Sequence, residues 1–163
     1  MGKEEWIKYS FDSLLNFFSK LSDNKIDLVD FLKRPQNYIT YLSNWLKQQN
    51  LSTASKDDKL LLEPGIGFFI AEVLIVRYQS YWEICQDNTS PSFGRFILTG
   101  FTINPNTKIS SINNHTIIMG GGSGETRSNK MFDPILSGSI FLSQSALDLE
   151  AHINEIEAEL INC

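Results

Sequence analysis

The 163-residue sequence is 42% apolar and 12% aromatic with a formal net charge of −5, which supplies one sizeable core and excludes two independent ones. We therefore expect a single α+β domain over residues 1–163. Two cysteines exclude a disulfide scaffold: Cys85 reads as a core thiol and Cys163 as a loose end, consistent with a reducing compartment.

From Glu4 to Leu21, Trp6, Ile7, Phe11, Leu14, Leu15, Phe17, Phe18 and Leu21 fall on one half of a helical wheel, so a helix with one inward face is expected. After the polar break Ser22–Lys25, a short helix around Asp27–Lys33 stops at Pro35, because proline disfavours helical geometry in the residue before it. A third helix, about Gln36–Gln49, presents Tyr38, Ile39, Tyr41, Leu42, Trp45 and Leu46 as a stripe, and Ser52–Lys56 is a linker. Asp57 and Asp58 can cap a short turn through Leu60–Leu62. Pro64 then suits the first turn of a long helix, Gly65–Tyr78. That helix is apolar almost all round, which predicts a central element sandwiched between the N-terminal helices and a small antiparallel sheet.

The strands begin at Tyr81–Cys85. Asn88–Gly94 supplies a turn, Arg95–Ile103 returns, and Ile109–Ile112 with Thr116–Met119 is a further pairing. Gly120–Gly124 and the polar run to Lys130 form a flexible loop, and Met131–Leu136 is a short apolar turn. A C-terminal amphipathic helix runs from about Ser145 to Ile161, with a stripe of Ala146, Leu149, Ile153, Ile156 and Leu160 that covers a core edge or meets a partner helix.

Charge is unevenly placed. Residues 1–130 hold 14 basic and 13 acidic groups, whereas residues 131–163 hold no base and six acids: Asp133, Asp148, Glu150, Glu155, Glu157 and Glu159. Such a surface repels nucleic-acid phosphate and anionic membrane and favours a basic protein partner, the bland alternative being a solvated helix face. The start of the chain carries no apolar signal core, and the run Ile66–Val76 is too short to span a bilayer, so a cytoplasmic protein is expected.

Glu72 is the strongest candidate for a special residue, because an acid within an apolar helix must be paired, protonated or at a working surface. Pairing with Arg77 or Arg95 is the favoured reading; with Trp82 these complete the candidate binding residues around the central helix. The glycine-rich loop invites phosphate binding, but no Gly-Lys-Ser/Thr follows, and Glu125 stands where a nucleophile elbow around Ser123 needs glycine. His115 and His152 have no partners at metal-ligand spacing, so neither a metal nor another cofactor is expected, and no catalytic residue is assigned.

The segment Gly67-Phe68-Phe69-Ile70-Ala71-Glu72-Val73-Leu74, followed by Arg77 and Tyr81-Trp82-Glu83, resembles uncharacterised bacterial families. In them a Gly-x-x-x-Gly-Glu-Val-Leu helix leads into a strand opening on Trp. Phe132–Leu136 is similar to their post-sheet element. Ala71 replaces the second glycine, and Gln79-Ser80 stands where a glycine-rich turn is usual. The resemblance implies an α+β fold and a binding protein, including the immunity type that neutralises toxins.

The leading expectation is a non-enzymatic protein-binding module, an immunity-type inhibitor of a basic toxin among its forms, using Glu150, Glu155, Glu157 and Glu159. Its rivals are a small-molecule binder or hydrolase with Glu72 and Arg95 lining a pocket, and a homodimer joined through the C-terminal stripe.

Overall fold

The structure, a computed structural model, describes residues 2–21, 26–49, 56–103 and 127–161. The pairing expected at Ile109–Ile112 and Thr116–Met119, the Gly120–Gly124 loop, His115 and Cys163 lie outside the described residues. So do the break at 22–25 and positions 52–55 of the linker.

In chain order the elements are α1 (Lys3–Lys20), α2 (Leu28–Lys33), a 3-10 turn (Pro35–Tyr38), α3 (Ile39–Lys47) and α4 (Lys56–Tyr78). Then come β1 (Tyr81–Ile84), β2 (Phe96–Thr99), β3 (Phe101–Thr102), β4 (Arg127–Ser128), α5 (Pro134–Leu142) and α6 (Leu149–Ile161). The fold is α+β, with α4 at its centre. Between Leu62 and Leu74 every residue of α4 is buried except Glu63, Pro64 and Glu72, as the all-round apolar pattern requires.

The helix is longer than its sequence suggests, because Pro64 lies inside it rather than in its first turn. A proline removes one helical hydrogen bond, here the one to the Leu60 carbonyl. Leu60 is exposed, so water can serve that carbonyl instead.

Glycine lets α4 approach its neighbours at backbone distance. A Cβ on Gly67 would stand 1.9 Å from the Pro134 carbonyl oxygen, and one on Gly138 would stand 2.0 Å from that of Glu63. Helices α4 and α5 therefore interlock through two reciprocal glycine contacts. On the opposite side Gly65 receives Phe17 of α1.

Aromatic rings join the layers. Trp6 of α1 contacts Phe68 of α4 (5.3 Å between centroids), Trp82 of β1 (5.6 Å) and Phe96 of β2 (5.6 Å), while Phe31 of α2 stacks on Phe69 (5.6 Å). Each such pair adds about 0.5–1.5 kcal/mol beyond its buried area.

Strands β1 and β2 pair antiparallel with Tyr81 opposite Thr99, and β3 pairs with β4. Gly100, at φ 73°, breaks the returning strand between β2 and β3. A bridge from Leu98 to Phe132 leads the chain into α5.

Several expected details change. Ile7 and Phe11, expected on the inward face of α1, are exposed, and Ser10 and Ser13 are buried beside the expected Trp6, Leu14 and Phe17. The region Gln36–Gln49 divides into the 3-10 turn and α3. The polar run to Lys130 contains β4, and the apolar turn at Met131–Leu136 is the entry to the nine-residue α5. Asp148, whose carboxylate accepts from Ala151 N at 3.1 Å, caps α6 itself, so the last helix starts at Leu149 and leaves Ala146 outside.

Gln79 follows α4 at φ 54°, a left-handed conformation that costs a side chain about 1–2 kcal/mol relative to glycine. Replacing Gln79 by glycine is expected to stabilise the protein by about 0.5–1 kcal/mol after the added chain entropy is counted. Chemical denaturation checks this; a loss of stability would show that the Gln79 side chain contributes more than the strain it introduces.

Candidate functional site

Glu72 is partly buried, and its neighbours one turn away on α4 are Phe68, Phe69, Ile75 and Val76. Among the described residues it makes no ion pair and no side-chain hydrogen bond, so the expected arginine partnership is not formed. Arg77 is five positions on, about 140° round the helix, and its guanidinium binds Glu157 of α6 at 2.8 Å. Arg95 binds Asp133 instead. Burial pushes the Glu72 carboxyl above its ordinary value.

A carboxyl whose folded-state pKa is raised favours the fold below its unfolded value, 4.5, and that benefit is lost as pH rises through the folded value. Glu72→Gln is therefore expected to stabilise the protein at pH 7 and to lose this advantage below about pH 4.5. Paired melting curves at pH 7 and pH 4 test this; a destabilised variant at pH 7 would mean that the carboxylate has an ionic partner.

The remaining candidates separate by element. Trp82 belongs to the aromatic cluster with Trp6 and Phe68, so its position is that of a structural ring. Glu157 also accepts a hydrogen bond from the Tyr78 hydroxyl. Burial first, and that bond second, hold Tyr78 protonated well above its ordinary range. Glu150 accepts from Thr40 Oγ1 at 2.6 Å, tying α6 to α3. Glu155 and Glu159 enter no ion pair and no side-chain hydrogen bond among the described residues.

Surface cavities among the described residues include one over the strands and one between helices. The first, of about 410 Å³, lies over the β1–β2 hairpin and is lined in part by Tyr81, Glu83, Cys85, Thr99, Arg127 and Met131. It includes none of the candidate binding residues. Arg127 there donates to the Gly100 carbonyl at 2.6 Å and to that of Gln79 at 3.1 Å, which fastens the end of α4 to the strands.

The second cavity, of about 270 Å³, lies between α5 and α6 and brings Glu155 and Glu159 together. Neither cavity is lined by Glu72 or Arg95. The other polar groups of the second cavity include Asp133, read from the sequence only as one of the C-terminal acids, His152, read only as lacking metal-ligand partners, and Ser137, which the sequence did not single out. Ser137 Oγ lies 3.3 Å from His152 Nε2, and His152 Nδ1 is buried without a hydrogen-bond partner among the described residues. Burial pushes the imidazole pKa down, against the opposing pull of Glu155 and Glu159. The signal was present: His152 stands three residues after Leu149 and next to Ile153, on the buried stripe of α6 rather than on its acidic face.

Asp133 also lines this cavity. Its Oδ1 caps α5 by accepting from Ile135 N (2.9 Å) and Leu136 N (3.1 Å). Its Oδ2 accepts from Ser92 Oγ (2.6 Å) and from the Arg95 guanidinium. Burial alone would raise its pKa, but these hydrogen bonds and the arginine charge outweigh it and hold the carboxyl below its ordinary value.

Among the described residues no cluster of three or more histidines, cysteines and acids could hold a metal ion, and no helix is long and apolar enough to cross a membrane. No protein-family model, curated protein or solved structure matches the chain.

Proposed function

We propose that this protein is a non-enzymatic binding module that takes a basic protein partner on the acidic side of α6, with immunity-type inhibition of a basic toxin as one form of that role. The division of labour among the α6 acids carries this reading. Glu150 and Glu157 are engaged within the fold, whereas Glu155 and Glu159 flank a cavity and their carboxylates enter no ion pair among the described residues. Unpaired acids beside exposed apolar side chains suit a cationic, partly apolar surface.

Catalysis is less well supported. Among the described residues the Ser137–His152 pair has no third group to orient the ring through Nδ1, and Glu72 lines neither cavity. The C-terminal stripe also has an occupant already, since Leu149, Ile153 and Leu160 are buried in this chain's own core.

Calorimetric titration with a lysine-rich amphipathic peptide, and with its glutamate-rich analogue, tests the proposal. The cationic peptide is expected to bind and to weaken as salt rises, because screening acts on exposed charge pairs. Equal binding of the acidic analogue, or no binding of either, would refute it.

A further inference from the structure

We infer that the α5–α6 cavity is an anchor pocket for one lysine or arginine side chain of the basic partner. This rests on the binding reading above and adds to it the place and chemistry of the contact. At about 270 Å³ the cavity has room for a single long side chain.

Its walls match that side chain in two parts. Leu136 and Ile140, both exposed and one turn apart on α5, face Ile156 of α6 across the cavity. They offer an apolar lining for a methylene stem, which charged side chains bury readily while keeping their heads near polar groups. Glu155 and Glu159 are four residues apart and so adjacent on one face of α6, where they present two carboxylates to the cationic head.

His152 closes one wall. It is 7% exposed and lines the cavity, and its Nδ1 has no partner among the described residues. Nε2 lies 3.3 Å from Ser137 Oγ and Nδ1 is itself buried, so the ring forms part of the wall rather than an open acceptor. The carboxylate of Asp133 is already saturated by Ser92, Arg95 and the start of α5. Lys130 is the nearby cation, its ammonium bound to the Glu159 carbonyl oxygen at 2.7 Å, so the incoming head engages the carboxylates rather than that carbonyl.

The test compares affinities for the lysine-rich peptide across three variants whose folding is checked by circular dichroism. E155Q/E159Q is expected to weaken binding about tenfold, the loss of one charge-assisted contact. Ile140→Trp, at an exposed position, is expected to block the mouth and weaken binding similarly. E4Q/D57N removes the same charge from positions that line neither cavity and is expected to change affinity less than about twofold. Equal losses for E155Q/E159Q and E4Q/D57N, or full affinity in Ile140→Trp, would overturn the pocket while leaving a diffuse acidic surface in place. Failure of the unaltered protein to bind would remove the broader proposal as well.

Discussion

Gly67→Ala and Gly138→Ala are each expected to destabilise the protein by about 3 kcal/mol, lowering the melting temperature by about 6–12 °C for a chain of this size. In an exposed helix the same change would stabilise by about 1 kcal/mol, because alanine is the better helix former. Here the sign reverses, since the new methyl group meets carbonyl oxygens at 1.9 Å and 2.0 Å, and backbone cannot rotate away as a side chain can. Both substitutions push α4 and α5 apart along one contact. The double variant should therefore cost less than the sum of the two, a coupling that separate sites would not show. Thermal melts of the three variants decide this, and unchanged melting temperatures would mean that the helices do not cross so closely.

Asp133→Ala is the second large effect expected, a loss of about 3 kcal/mol that combines the α5 cap, the Ser92 hydrogen bond and the Arg95 pair. Asp133→Asn keeps an oxygen for the cap and should lose about half as much. The carboxyl is held below its ordinary 3.8, so its contribution is present above the unfolded value and disappears as pH falls through the folded one. The unaltered protein should lose this stability below about pH 4, and the difference from Asp133→Asn should narrow there. Denaturant titrations at pH 7 and pH 3 provide the comparison. A pH-independent gap would place the energy in packing rather than in charge.

These contacts differ in how far sequence could reveal them. The burial of α4 was legible because no face of it is polar, and the hairpin because Asn88–Gly94 is rich in turn residues. Helix α5 was hidden by Ser137-Gly138-Ser139, which reads as loop, although Asp133 before Pro134 is the pattern of a cap and a first helical residue. Gly67 could be seen as a glycine within an apolar run and Gly138 as one between two serines, but the carbonyl each one faces is set by tertiary packing. Arg95 and Asp133 are 38 residues apart, beyond the reach of any local pattern. The mismatch between Glu72 and Arg77 was readable from their five-residue spacing. At the candidate site, sequence identified the acids of α6 but not their division, which depends on Thr40, Arg77 and Tyr78 arriving from other helices.

The most direct test of the binding site is to map the lysine-rich peptide on the isotopically labelled protein by nuclear magnetic resonance. Perturbations should concentrate on Ser137, Ile140, Gln144, His152, Glu155 and Glu159, at the cavity between α5 and α6. Perturbations centred on Glu150, the β1–β2 hairpin or α1, with the α5–α6 residues unmoved, would contradict it.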